Sequence, residues 1–404
     1  MLRNIAYEQA RQLLLDLVQP LGTERVPLSC CAGRILAQEL RAEGNVPPFD
    51  RSAFDGYAFR AEDVADASKE HPVALRIVEE VPAGSVPTKA VTAGMAVKIL
   101  TGAPVPEGAD AIINYESTEF THETVTLFAP VRRGANIVTA GEDVKAGQLL
   151  ASEGMRIDAG LAGTLAGQGV AEPLVYRVPR VGIISTGNEV VEADAPAQPG
   201  KIRNTNRHAL EAALTLAGME PRYLGVGRDS AEEIAELYRE GLRTCDAVLS
   251  TGGVSAGDYD LTPAAIELAG GTVLARGVKL KPGMACAYGH RDGKLACGLS
   301  GNPASFLTNF YCVVLPALRK LAGRADALPQ EFEVVLANGF NKPSPGGRML
   351  RGRLVLSGGE ARFACAEGQG NAMISTAIGC DMMAIVPAGT GKLNAGDRLK
   401  GFML

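Results

Sequence analysis

Tryptophan is absent from the 404 residues and histidine occurs four times, which leaves little material for a histidine-built metal centre. The chain has 40 Lys and Arg against 45 Asp and Glu, a net charge of −5. It holds no basic tract, so the electrostatic footprint of a nucleic-acid binder is missing. An anionic ligand must therefore be met by local groups, not by the overall field. The eight cysteines include no CxxC pair and no Cys/His cluster. Several lie inside apolar runs, as buried reduced thiols of a cytosolic protein do. No uninterrupted apolar run reaches the length of a membrane span. Glu8, Arg11 and Asp16 interrupt the apolar residues of the N-terminus, unlike a signal peptide. These absences predict a soluble cytoplasmic protein with no nucleic-acid and no membrane partner. With 46% apolar and 21% charged residues, the chain has ample core material for two to four domains.

The most informative stretch is Asp246 to Pro263, DAVLSTGGVSAGDYDLTP. Residues 246–250 form a short apolar run suited to a buried strand. TGGVSAG (251–257) is too rich in glycine to continue that strand or to begin a helix. The helical pattern resumes at Thr262-Pro263, with Thr262 as N-cap and Pro in the first turn. A loop at the carboxyl end of a strand in an open parallel sheet is where such folds bind ligands. Its small residues let backbone N–H groups face an oxyanion, Ser255 adds a hydroxyl, and Asp258 and Asp260 suggest a divalent cation beside it. An ordinary tight turn has the same composition, and the neighbouring segments tip the balance.

Residues 5–18 carry a helical apolar face (Ile5, Ala6, Ala10, Leu13, Leu14, Leu17, Val18), and 29–40 a second, shorter helical pattern. Pro47 to Arg60, PPFDRSAFDGYAFR, is dense in aromatics and carboxylates. Its proline pair and Gly56 argue against a long helix, leaving a structural loop or a ligand or subunit contact. Residues 73–144 read as short strands broken by turns, a small β-barrel or sandwich inserted into a helical N-terminal domain. From Arg180 strands and helices alternate. Strands over 181–185, 222–226 and 246–250 end in STGNE, Asp229 and TGGVSAG. Thr205 or Asn206 opens one helix, and Ser230 to Glu233 has capping-box spacing for the next. Lys281-Pro-Gly283 is a turn with one cation. A hairpin through residues 289–293 then leads to Ser300-Gly-Asn-Pro303, where Asn302 caps a helix with Pro303 at its first position. Beyond Gly323 the pattern returns to short strands, with Arg348, Arg351 and Arg353 on one of them and a polar loop at Gln369-Gly-Asn371. The predicted fold is multidomain α/β plus β. A helical N-terminal domain (1–45 with 146–178) carries an inserted β domain (46–145). A doubly wound α/β domain (179–325) and a C-terminal β-barrel-like domain (326–404) follow.

These segments together resemble the molybdopterin molybdenumtransferases, the bacterial MoeA type and the E domain of gephyrin, over nearly the whole chain. PPFDRSAFDGYA, TGAPVPEGADAII, GEDV, STGNE, GGVSAGDYD, KPG and GLSGNP follow in the family's order. Phe54 stands where the family has Met, Asn188 where an acid is common, Ser300 where Pro is common, and Asn371 near a usual Ser. Met284-Ala285 replaces the Lys-Pro that often follows KPG. The resemblance implies an intertwined homodimer of four-domain chains. It also implies a reaction in which adenylylated molybdopterin and molybdate give molybdenum cofactor and AMP, with Mg²⁺. It places Gly252, Gly253 and Ser255, with Thr186, at the pterin phosphate. Glu189, Asp229 and Asp260 fall at the cation and diphosphate, and Lys281, Pro282, Pro303 and Arg351 near molybdate. Asp55, Thr101 and Asp143 would close the cleft, Asp143 also as a metal ligand. A molybdopterin adenylyltransferase and molybdoenzyme apoproteins or their chaperones are the implied partners. Two other readings stay open: a molybdopterin adenylyltransferase, which shares the GGVS loop, and a non-catalytic scaffold of the gephyrin E type.

Overall fold

The computed structural model describes residues 1–228, 230–254, 261–357 and 359–404. The chain divides into two compact units: 1–38 with 153–159 and 172–404, and 39–152 with 160–171.

The first unit is built on a seven-stranded sheet ordered Leu2–Ile5, Thr272–Val278, Cys286–Arg291, Lys294–Leu299, Ala247–Thr251, Arg180–Thr186, Glu220–Gly227. The last four run parallel, and Cys286–Arg291 is antiparallel to both of its neighbours. Their near-continuous apolar composition is that of strands covered on both faces. Alternation sends Ile183, Leu249 and Cys297 to one face and Ile184, Val248 and Ala296 to the other. The first face is covered by Tyr7–Leu17, Thr205–Leu216 and the helical stretch from Pro303 to Leu321, through Leu14, Leu210, Leu214, Phe306 and Phe310. The second is covered by Ala231–Thr244 and Thr262–Leu268, through Ile234, Tyr238 and Ile266. The domain is doubly wound, as its pattern predicts.

Several local expectations are corrected. The N-terminal helix starts at Tyr7, and Leu2–Ile5 is a strand parallel to Thr272–Val278. Residues 1–38 therefore belong to the α/β unit, not to a helical N-terminal domain. No helix forms over 29–40: Leu28–Cys30 is a single 3₁₀ turn, and Ile35 and Leu36 bridge to Arg156 and Val175. Asn204 caps Thr205–Leu216, its side chain accepting from the Arg207 N–H. Thr262 lies inside its helix and spends its hydroxyl on the Gly252 carbonyl at 3.1 Å. Asn302 precedes Pro303 without a side-chain capping bond. Ser230 does cap the next helix, accepting from the Glu233 N–H.

Five strands, Phe332–Leu336, Glu360–Cys365, Arg348–Ser357, Met382–Val386 and Arg398–Met403, close a barrel around Leu336, Leu350, Phe363 and Val386. The second unit holds a six-stranded mixed sheet over Gly56–Phe59, Val73–Val81, Met95–Ile99, Ala111–Asn114, Glu119–Phe120 and Thr124–Leu127. Four of its strands fall where the alternating segments predict, while Gly56–Phe59 arises in the segment read as a loop and Glu119–Phe120 was not foreseen; they form one sheet, where a barrel or sandwich is predicted. Tyr57 and Phe59 are buried in this sheet's core, while Phe49 and Phe54 stay exposed.

Candidate functional site

The register of the parallel strands builds the site. Ser185 lies opposite Thr251, and Thr251 opposite Leu299, so three neighbouring strands end level. Thr186, Gly252 and Ser300 therefore emerge side by side at the carboxyl edge of the sheet. A cavity of about 560 Å³ opens there, lined among the described residues by Thr186, Gly187, Glu189, Asn204, Asn206, Gly252, Gly253, Ser300, Gly301, Asn302, Pro303 and others. Hydrogen bonds hold its floor at Thr186 and Gly252. The Gly252 N–H donates to the Leu299 carbonyl at 2.9 Å, and the Thr186 hydroxyl donates to the Thr251 carbonyl at 3.1 Å. Gly252 and Gly253 take φ of 99° and 62°, the left-handed region where a side chain is strained. A Cβ on Gly252 would overlap the Thr186 hydroxyl, and one on Gly253 would lie 2.8 Å from that of Thr262. Glycine is thus required at both positions of this turn.

Glu189 reaches the cavity on a limb between the Arg180–Thr186 strand and the Thr205–Leu216 helix. Val190–Val191 pairs with Ile202–Arg203, and the Glu189 carbonyl accepts from the Ile202 N–H at 2.8 Å. The limb is tied down by Glu192, whose carboxylate meets the Tyr223 hydroxyl at 3.0 Å and Arg207 at 2.6 Å. Arg207 also stacks on the Tyr223 ring at 3.7 Å. Burial pushes the Glu192 carboxyl up, but the bonds from Tyr223, Arg207 and Asn204 outweigh it and hold it below its ordinary value. The Tyr223 phenol is pushed up to about 12 by burial and by Glu192. Neither Glu192 nor the Asn204 and Asn206 lining was foreseen from the sequence. The NTN triplet directly before a helical run was the available signal.

Of the residues singled out from sequence, Thr186, Glu189, Gly252, Gly253 and Pro303 line this cavity. Asp229, Ser255 and Asp260 lie outside the described residues. Asp55, Thr101 and Asp143 belong to the second unit. There the Thr101 hydroxyl and N–H both donate to Asp55 Oδ1, at 2.6 and 2.7 Å. Those two bonds hold the Asp55 carboxyl below its ordinary value. Asp143 is exposed.

Lys281 and Pro282 do not line the cavity. They meet the barrel instead: the Lys281 N–H donates to the Gly347 carbonyl and the Lys281 carbonyl accepts from the Met349 N–H. Along Arg348–Ser357, alternation points Leu350 and Leu354 into the barrel and Met349, Arg351 and Arg353 out of it. Met349 packs into the α/β core, Arg353 is exposed, and Arg351 is buried at 1% exposure. Arg351 Nη2 donates to Thr376 Oγ1 at 3.0 Å and to the Gly368 and Gly370 carbonyls at 3.4 Å. Its Nε and Nη1 have no hydrogen-bond partner among the described residues. Burial pulls its pKa down, and the titratable groups beside it are the Cys380 and Cys365 thiols. A buried guanidinium with two unpaired N–H groups is a costly arrangement, and an oxyanion relieves it. Arg348, also buried, donates to Ser344 Oγ and covers the Phe340 ring.

A profile described as the MoeA N-terminal region (domain I and II) matches residues 5–169, and one described as a probable molybdopterin binding domain matches 182–320. The chain is 35% identical to the molybdopterin molybdenumtransferase of Bacillus subtilis (strain 168), covering 93% of this chain and 88% of that one. It is 34% identical to that of Staphylococcus epidermidis, over 90% and 87%. The chain belongs to the molybdopterin molybdenumtransferase family. A solved molybdopterin biosynthesis MoeA protein from Pyrococcus horikosii superposes with a TM-score of 0.84 at 32% identity, covering 99% of both chains. Multidomain α/β plus β is the fold that this likeness and the sheets above agree on.

Proposed function

We infer that the chain is a molybdopterin molybdenumtransferase, an enzyme of molybdenum cofactor biosynthesis, whose substrates are adenylylated molybdopterin and molybdate and whose products are molybdenum cofactor and AMP. The observation that carries this reading is the level ending of three strands around one cavity, in a chain of this family. The glycine turn at Gly252-Gly253 suits a phosphate, and the Ser300 to Pro303 loop forms the facing wall. Arg351 suits the tetrahedral oxyanion, because its two open N–H groups need an acceptor.

Mg²⁺ is the cation this reading requires. The cavity fits a hard ion: its lining holds no His and no Cys, and Glu189 offers a carboxylate beside hydroxyls and carbonyls. Mg²⁺ needs one or two carboxylates, and Asp260 and Asp229 complete the proposed set. Such an ion would stabilise charge on the departing AMP. Among the described residues no group of three or more acidic, Cys or His side chains is clustered to hold a metal, and Asp229 and Asp260 lie outside those residues.

A homodimer is part of the proposal, resting on Phe49 and Phe54, exposed at 43% and 51%. The apolar face of Tyr7–Leu17 adds nothing to it, since Leu14 and Ala10 are buried within their own unit. The cytoplasm is the proposed compartment, with an adenylyltransferase as supplier of the nucleotide and molybdoenzyme apoproteins or their chaperones as receivers. All eight cysteines are free thiols, and no helix among the described residues is long and apolar enough to cross a membrane. The adenylyltransferase reading leaves the second unit and the barrel without a task. The scaffold reading leaves Arg351 without an acceptor. The test is AMP release from adenylylated molybdopterin with Mg²⁺, with and without molybdate. AMP formed at the same rate in both arms, or in neither, would refute the transferase.

A further inference from the structure

Arg351 can offer two N–H groups to an anion only if its backbone and its third nitrogen are held elsewhere. Gln369 does the first. Its Oε1 accepts from the Arg351 N–H at 3.0 Å, and its Nε2 donates to the Arg351 carbonyl at 2.8 Å. The same Nε2 lies 2.9 Å from the Ala366 carbonyl and 3.4 Å from Cys365 Sγ. The carboxamide thus engages both backbone groups of Arg351 just beyond the end of the Glu360–Cys365 strand, beside the Ala366 N–H, which donates to the same Arg351 carbonyl at 2.9 Å. It also fixes what flanks it in sequence. The Gly368 and Gly370 carbonyls accept from Arg351 Nη2, so pinning Gln369 pins the second half of the clamp. One residue further on, the Asn371 carbonyl accepts from the Ala304 N–H at 3.0 Å, directly after the cavity-lining Pro303.

We propose that Gln369 is the positioning residue of the oxyanion site: it acts through Arg351, and its loop ties that arginine to the wall of the nucleotide cavity. This rests on the reading of Arg351 as the molybdate contact. Gln369 touches no substrate. It sets the direction of the two open N–H groups, and a one-ångström error there is felt in a bidentate contact to a tetrahedral anion.

The variant Gln369→Met keeps the length and removes both hydrogen-bonding ends. The molybdate concentration for half-maximal AMP release should rise about tenfold, the loss expected for one charge-assisted hydrogen bond. Affinity for adenylylated molybdopterin should change less than about twofold, because the cavity floor is untouched. The rise in melting temperature on adding molybdate should shrink in parallel, which reads anion binding without turnover. A residue that only supported folding would lower the melting temperature and weaken nucleotide and molybdate together, and that result overturns the proposal. If Gln369→Met does not fold, Gln369→Glu serves. It keeps Oε1 for the Arg351 N–H but sets an acceptor oxygen against the Arg351 and Ala366 carbonyls in place of the donor, so the loop is pushed off and molybdate binding should again fall at least about tenfold. Unchanged molybdate binding in either folded variant overturns the proposal. Arg351→Ala separates the two levels. If it leaves the molybdate requirement unaltered, the reading of Arg351 fails; if it raises it while the Gln369 variants do not, only the role of Gln369 fails.

Discussion

Gly252→Ala tests whether the cavity floor is as constrained as its geometry implies. The residue sits at φ 99° with its N–H on the Leu299 carbonyl and its own carbonyl on the Thr262 hydroxyl. It cannot swing to negative φ without breaking both bonds. An alanine held there costs about 1–2 kcal/mol in backbone strain. Its methyl also overlaps the Thr186 hydroxyl, and displacing that hydroxyl from the Thr251 carbonyl costs about 1 kcal/mol more. The sum, about 2–3 kcal/mol, corresponds to a fall of roughly 5–10 °C in melting temperature at 2–4 °C per kcal/mol. Thermal unfolding of the purified protein reads it, and equilibrium binding of adenylylated molybdopterin should weaken at least about tenfold as the floor shifts. The pair Gly252→Ala with Thr186→Ala removes the overlap but not the strain. It should be less destabilised than the sum of the single variants by about 1 kcal/mol. A single variant that melts with the wild type and binds the nucleotide equally would refute the argument, because it would show the loop free to relax.

Asp55 should titrate below its ordinary 3.8, and Thr101→Val, which removes the hydroxyl bond, should bring it back toward that value; carboxyl NMR shifts against pH check both. Glu192 has a depressed folded pKa, so its contribution is complete above its ordinary 4.5 and is lost as pH falls through the folded value. Glu192→Gln should therefore be less stable than wild type at pH 7, with the gap closing in acid; a gap that widens below pH 4 would contradict the network. Burial holds the Cys286 thiol near 11 and those of Cys297 and Cys312 near 12. A thiol reagent at pH 8 should label the exposed Cys30 quickly and these three only on unfolding, as peptide mapping would show.

Legibility from sequence followed how much of each decision was local. The glycine turn after Ala247–Thr251, the strand alternation of the barrel and the capping of Ala231–Thr244 by Ser230 are written within a few neighbouring residues, and each stands where its pattern puts it. The helix at 205 starts at the first of the two residues its pattern allows, with Asn204 capping it through the Arg207 N–H, whereas the start at 262 slips by one residue because Thr262 spends its hydroxyl on Gly252 instead of on its own helix. Ile5 falls inside the helical pattern of residues 5–18 but ends the strand Leu2–Ile5, because a four-residue strand carries no period of its own. What makes it a strand is its pairing with Thr272–Val278, some 270 residues away in sequence.

Arg351 shows the same limit at the site. Three arginines on one strand mark a cationic segment, and alternation alone places Arg351 and Arg353 on the same face. Which of them is buried depends on what covers that face, and the cover comes from the Gly368–Asn371 loop, the Thr376 hydroxyl and the α/β core behind Met349. None of these is near Arg351 in sequence. The residue that carries the oxyanion reading is therefore visible in the sequence as one of three, and becomes singular only through its burial and the carboxamide, in the loop after the neighbouring strand, that holds its backbone. Gln369 and the Ala366 N–H satisfy its backbone, and the loop carbonyls and Thr376 satisfy one nitrogen. The two nitrogens left open carry a free-energy cost that the proposed oxyanion would offset.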